Sequence, residues 1–201
     1  MKKIVLASSN AGKVREINNL LLQNNIEVVP QSAFDIPDAI EDGLSFVENA
    51  IIKARHAAKL SGSPAIADDS GLEVDALNHR PGIYSARYSG EGATSEKNNQ
   101  KMLGELEGVP EENRSARYQC VMVFMRDADD PMPIITQGSL EGRILEAPRG
   151  EGGFGYDPIF YLPDHQCAAA EISLEEKNKI SHRAIALNAM IARLKDTAII
   201  S

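Results

Sequence analysis

The stretch KKIVLASSNAGKVREINNLLL, residues 2–22, decides how the rest of the chain is read. KKIVLA has the length and apolar content of a buried strand. From residue 11 to residue 22, Val14, Ile17, Leu20 and Leu21 recur on one face of a helix. Between them lie Ser8, Ser9, Asn10, Ala11, Gly12 and Lys13. A strand that turns directly into a helix aims unpaired N–H groups and the positive end of the helix dipole at one point, which makes an anion site. Ser8 and Asn10 add neutral donors, and Lys13 adds a cation one turn in. The stretch is not a Walker loop: a single glycine precedes the lysine, and Val14 stands where the metal-binding hydroxyl belongs. A capped helix with a solvated lysine is the competing reading, and this segment alone leaves both open.

Working outward, IEVVP reads as a second strand. Ser45 followed by Glu48 forms a capping box that opens a helix to about Leu60, with Gly62 as its stop. Then come a strand PAIA, a polar turn DDSG and a strand LEVDAL. Residues 94–106 read as helix. RYQCVMVFM and PIITQGSLEGRIL read as a hairpin or meander, followed by a glycine-rich segment and the strand IFYLP. Two helices close the chain, capped by Ser173 (with Glu176 completing its box) and by Ser181. The mixture is α/β, with an early βαβ-like half and a later antiparallel half. No repeat, low-complexity tract or linker divides it, so residues 1–201 read as one domain.

The chain has 201 residues, 43% of them hydrophobic and 25% charged, ordinary values for a globular protein. Its 21 Lys and Arg face 29 Asp and Glu, a net charge of -8, which argues against a general nucleic-acid binder. A nucleotide held by a few local cations and a metal remains open. The start of the chain lacks the apolar core of a signal peptide, and no window reaches the length of a membrane span. Cys120 and Cys167 show no metal-ligand spacing and read as free thiols of a cytoplasmic protein.

Three further groups of residues carry chemistry. Asp68 and Asp69 follow an apolar strand and precede Ser70. In a strand the two carboxylates would point to opposite faces, so a turn is expected to bring both to one ion. Mg²⁺ takes one or two carboxylates along with waters and substrate phosphates; an exposed acidic turn is the alternative. Glu41 and Asp42 offer more carboxylates. On the following helix Asn49, Lys53 and His56 share one stripe, either a wet face or, for Lys53, a reach toward phosphate. Finally, GGFGYDPIF and KNKISHR supply aromatic faces (Phe154, Tyr156), close backbone approach (Gly155), an acceptor (Asp157) and donors (His182, Arg183). Arginine at a helix start opposes the dipole, which hints at a role other than helix stability. Together these features suit hydrolysis of a metal-bound nucleoside triphosphate.

In order along the chain, SxNxxK at residues 8–13, FxENAxxKA at 46–54, ADDSGLxVDAL from Ala67, PGIYSARYSG from Pro81, GGFGYDPIF and ISHR resemble the inosine triphosphate pyrophosphatase family, the HAM1-like dITP/XTP pyrophosphatases, and its bacterial branch closely. The resemblance implies a long mixed central sheet flanked by helices, two lobes with a deep active-site cleft, and a homodimer. It implies Mg²⁺-dependent cleavage of ITP, dITP and XTP to the monophosphate and pyrophosphate. By the same resemblance Asp69 is the catalytic base and a metal carboxylate, with Glu41 and Asp68 at the metal. Ser8 to Lys13, Lys53 and Ser70 would serve the phosphates; Phe154, Gly155, Tyr156, Asp157, Lys177, His182 and Arg183 would hold base and sugar. Ile40 stands where relatives often carry an acid, which makes Glu41 a surer ligand than Asp42. Two other readings are a Maf-like pyrophosphatase, whose loop typically carries arginine at the Lys13 position, and a nucleotide sensor without turnover.

Overall fold

The computed structural model describes residues 4–23 and 26–197. The expected first strand is β1 (Ile4–Leu6), all three residues buried; Lys2 and Lys3 lie outside the described residues. It leads into α1 (Ala11–Gln23), β2 (Val28–Pro30) and α2 (Phe46–Ser61). Next come β3 (Ala65–Val74), a short β4 (Arg80–Pro81) and α3 (Ser95–Glu105). The later half holds β5 (Ser115–Met125), β6 (Ile134–Ile144), β7 (Phe160–Leu162) and β8 (Cys167–Ala168). It ends with α4 (Leu174–Ile180) and α5 (His182–Asp196).

The strands form one mixed sheet in the order β2-β1-β3-β5-β6-β7-β8, with β4 on β3. β1 runs parallel to β2 and β3, as βα crossovers require. β6, β7 and β8 pair antiparallel, so the division of the chain into a parallel and an antiparallel half holds. The helix limits follow local rules. Ser45 accepts the Glu48 N–H to start α2, and Gly62, at φ 64°, ends it by donating to the Ala58 carbonyl. Ser173 caps α4, but the Glu176 carboxylate pairs with His165 at 3.2 Å and leaves the box half made.

By internal contacts the chain forms two compact units. The first comprises the chain up to Asp69, Cys120–Gly138 and the stretch from His182 on; the second comprises Ser70–Gln119 and Ser139–Ser181. In the first unit, α1 (Ile17, Leu20, Leu21) and α5 (Leu187, Met190, Leu194) bury one face against β1 and the Met122 and Phe124 side chains of β5. On the other side the alanine face of α2 (Ala50, Ala54, Ala57, Ala58) packs against Val5, Ala65, Ala67 and Val123. Small residues there let the helix approach the strands closely. Gly138 fixes the start of α5: a Cβ at that position would come within 2.7 Å of the Ala186 nitrogen. The second unit closes around Leu72, Met102, Leu106, Tyr118, Tyr156, Ile159 and Phe160, with the Tyr118 and Phe160 rings 4.5 Å apart.

Two expectations from the sequence are corrected. DDSG is not a turn: Asp68 to Gly71 continue β3 as one strand of 10 residues. LEVDAL is not a strand throughout: it leaves the sheet after Val74 as a single 3₁₀ turn, Asp75–Leu77, where the Asp75 carboxylate turns to Arg117 and Ser115.

Candidate active site

The first unit gathers the loop between β1 and α1, β3 as far as Asp69, and α2. Asn10 caps α1, its Oδ1 accepting from the Gly12 and Lys13 N–H groups at 3.0 and 3.1 Å. Two of the amides expected to be open to an anion are therefore held by Asn10. Ser8 Oγ accepts from the Asn10 N–H, and Ser9 donates to Asp38 at 2.8 Å. The competing reading of Lys13 as a solvated residue does not hold, because its ammonium sits 3.0 Å from Asp68.

Because β3 is continuous, Asp68 and Asp69 point to opposite faces and serve different partners. Asp68, 1% exposed, faces Lys13 and, at 3.5 Å, Arg183 Nε. Burial works against its charge, but Lys13, Arg183 and Lys53 outweigh it and hold the carboxyl well below the usual range. Asp69 Oδ1 takes the Lys53 ammonium at 2.7 Å, and the same ammonium holds Glu41 at 3.1 Å. Here burial wins: it pushes the Asp69 carboxyl up, Lys53 pulls it back only in part, and Glu41 pushes further. Among the described residues, Asp69 Oδ2 is buried without a hydrogen-bond partner. The structure thus brings Asp69, Glu41 and Lys53 into direct contact and gives Asp68 its own contacts, with Lys13 and Arg183, against the expectation that a turn gathers both aspartates.

The polar stripe on α2 is not a wet face. Asn49 is 1% exposed, Lys53 is drawn to the carboxylates, and His56 Nε2 lies 2.9 Å from the Pro37 carbonyl. Arg183 is buried as well, in an ion pair with the buried Glu16 of α1. Burial opposes its charge, yet Asp68 and Glu16 raise its pKa further. These two carboxylates explain an arginine at a helix start, where the dipole disfavours it. Glu16 was missed from sequence, although it lies four residues before Leu20 on a helix whose apolar face is buried. The buried Cys120 thiol, near Asp68, is pushed up to about 12 by burial and is unreactive.

No three His, Cys, Asp or Glu side chains form a preformed metal cage among the described residues. The donor set still fits a hard divalent cation, which needs only one or two protein carboxylates when phosphates supply the rest. Asp69 offers an orphaned oxygen, Glu41 shares its lysine, and Glu16, Glu41, Asp68 and Asp69 outnumber Lys13, Lys53 and Arg183 by one charge.

The second unit carries its own polar cluster. Asp157, 2% exposed, accepts from the Phe154 N–H at 2.8 Å, from Tyr118 at 3.2 Å and from Lys177 at 2.6 Å. The Lys177 ammonium also lies 4.6 Å from the centre of the Phe154 ring. Asn99, a contact the sequence did not suggest, donates to the Gly155 carbonyl at 3.1 Å. Tyr156 differs from expectation: its ring belongs to the core and its hydroxyl donates to the Ser85 carbonyl, so it shapes the loop from beneath. Ser70 follows Asp69 on β3, half-buried.

Fold and site together define an α/β protein with a buried cluster of paired carboxylates and lysines. The model of the Ham1 family matches residues 4–193. The chain belongs to the Ham1 family. Among its relatives, the dITP/XTP pyrophosphatase of Thioalkalivibrio sulfidiphilus is 60% identical, covering 96% of this chain and 98% of its own. That of Vibrio cholerae is 55% identical, covering 98% of each. A HAM1 protein structure from Coxiella burnetii superposes with a TM-score of 0.90 at 51% identity, over 98% of this chain and 100% of its own.

Proposed function

We infer that this chain is a nucleoside triphosphate pyrophosphohydrolase that removes deaminated purine nucleotides (ITP, dITP and XTP) by hydrolysing them to the monophosphate and pyrophosphate. Its family and the names of its relatives support the reaction, and one observation supports turnover rather than mere binding. Asp69 is a buried carboxylate with a raised pKa, one oxygen fixed by Lys53 and the other left without a protein partner. A sensor gains nothing from a base held that way. Asp69 takes a proton from water as the water oxygen bonds to the α-phosphorus, and the bond to the oxygen bridging toward the β-phosphorus breaks. Lys13 and Lys53 stabilise the charge gathering on the departing pyrophosphate.

Mg²⁺, held by Asp69 and Glu41, would neutralise phosphate charge in this reading. Ser8 to Lys13 and Ser70 bind the phosphates, with Asn10 yielding the amides it caps. Phe154, Gly155, Asp157, Lys177 and His182 hold the base and sugar, and Tyr156 supports them from the core. Arg183, held within the first unit by Glu16 and Asp68, is the other residue assigned to the base in this reading. A homodimer working in the cytoplasm completes the proposal; among the described residues no helix is long and apolar enough to cross a membrane. The test is incubation with Mg²⁺ and a panel of nucleoside triphosphates, separating pyrophosphate from orthophosphate. Pyrophosphate from ITP, dITP and XTP, well ahead of ATP and GTP, is expected; orthophosphate, or no turnover, contradicts the reading.

A further inference from the structure

Glu41 sits on a segment that apolar packing does not hold. Its neighbours Ile40 and Leu44 are 83% and 84% exposed. Hydrogen bonds fix it instead. At its start, Asp38 accepts from Ser9 at 2.8 Å and from Gln31 at 2.6 Å, and the Pro37 carbonyl meets His56. At its end, two consecutive residues of α2 take two consecutive amides: Asn49 Oδ1 accepts the Gly43 N–H at 2.9 Å, and Glu48 accepts the Leu44 N–H at 2.8 Å. One turn later on the same helix, Lys53 takes the Glu41 carboxylate itself.

Asn49 is buried to 1% exposure, unusual for a residue whose side-chain oxygen goes to a surface segment. Residue 43 must come close for this bond to form. A Cβ there would stand 2.7 Å from Asn49 Oδ1 and 2.7 Å from Glu48 Cβ, nearer than real contacts allow. The φ of Gly43 is outside the left-handed region, so close approach rather than backbone conformation demands glycine. The neutral amide also suits the place, because an aspartate at position 49 would bury a charge, while an apolar residue would leave the Gly43 N–H unpaired.

We propose that Asn49 is a positioning residue: through the Gly43 N–H it sets where Glu41 is presented to Lys53 and Asp69, and Gly43 is its obligate partner. The proposal rests on the reading of Glu41 as a metal carboxylate. It accounts for the N of the FxENAxxKA motif, whose lysine alone reaches the acid–base centre.

The test measures Mn²⁺ binding by water-proton relaxation, with the α,β-methylene analogue of inosine triphosphate present so that nothing turns over. Wild type, Asn49→Ala, Gly43→Ala and Glu41→Gln are compared. All three variants are expected to weaken Mn²⁺ binding about tenfold or more, the range for groups that orient a metal ligand. Asn49→Ala should also speed hydrogen exchange at the Gly43 amide. Gly43 is half-buried in a loop, so Gly43→Ala decides the matter even where Asn49→Ala fails to fold. Unchanged affinity in the two positioning variants, with Glu41→Gln weakened, overturns the proposal alone. Unchanged affinity in Glu41→Gln overturns the metal reading and the proposal with it.

Discussion

Replacing Asp69 with asparagine removes a proton acceptor and a metal charge while keeping the shape of the side chain. The substitution is nearly isosteric on an inner strand, β3, whose neighbours in the sheet are β1 and β5. The side-chain oxygen facing Lys53 at 2.7 Å can be kept as an amide oxygen. What changes is the other position: Oδ2, the acceptor with no protein partner, becomes an NH₂ group that cannot take a proton. Removing a general base lowers rates by 10²–10⁴-fold, which is about 3–5 kcal/mol of barrier. A loss of at least about 100-fold in kcat is therefore expected, with KM for ITP and the thermal midpoint changed little. The assay is pyrophosphate release at saturating ITP and Mg²⁺, alongside a circular-dichroism melt. The pH dependence sharpens it. Wild-type kcat should fall with decreasing pH as Asp69 takes up a proton, whereas the residual rate of Asp69→Asn should be flat over the same range. A variant that keeps more than about a tenth of kcat, above the smallest loss of a general base, refutes the role of Asp69.

Three other outcomes are expected. Lys13→Ala should lower kcat/KM for ITP about 10–100-fold, the worth of a charge-assisted hydrogen bond, while the affinity of inosine monophosphate, which lacks the triphosphate tail, stays nearly constant; equal losses for both would place Lys13 elsewhere. Arg183→Ala should lower kcat/KM for ITP more than about tenfold with little change for ATP, whereas equal losses would show that Arg183 acts only through Asp68. Asp75, bonded to Arg117 and Ser115, is held down to about 2, below an unfolded value of about 3.9. Its contribution is present above about pH 4 and is lost as pH falls through about 2. The gap in urea midpoint between wild type and Asp75→Asn should shrink over that window, and a gap that does not vary with pH would contradict the assignment.

Helix limits were legible because they are local: Ser45, Glu48 and Gly62 act within a few residues of one another. The alternation of strand and helix around the phosphate loop was legible for the same reason. DDSG misled because composition favours a turn while the sheet favours extension, and the decision rests on partners far away. β3 lies between β1 and β5, and lysines from two different helices neutralise Asp68 and Asp69. Glu16 and Arg183 are 167 residues apart, so neither residue's burial can be read from its own neighbourhood. Tyr156 offers an aromatic face in its segment, but the apolar residues it packs on come from other elements, so its place in the core cannot be read locally. β4 and β8, two residues each, are too short to carry a pattern.

Hydrolysis in ¹⁸O-enriched water tests the central claim most directly, because it reports which phosphorus the water attacks. With ITP and Mg²⁺, the account predicts one ¹⁸O atom in inosine monophosphate and none in pyrophosphate, read by mass spectrometry of the separated products. Label in pyrophosphate, or in orthophosphate released without pyrophosphate, would contradict attack at the α-phosphorus.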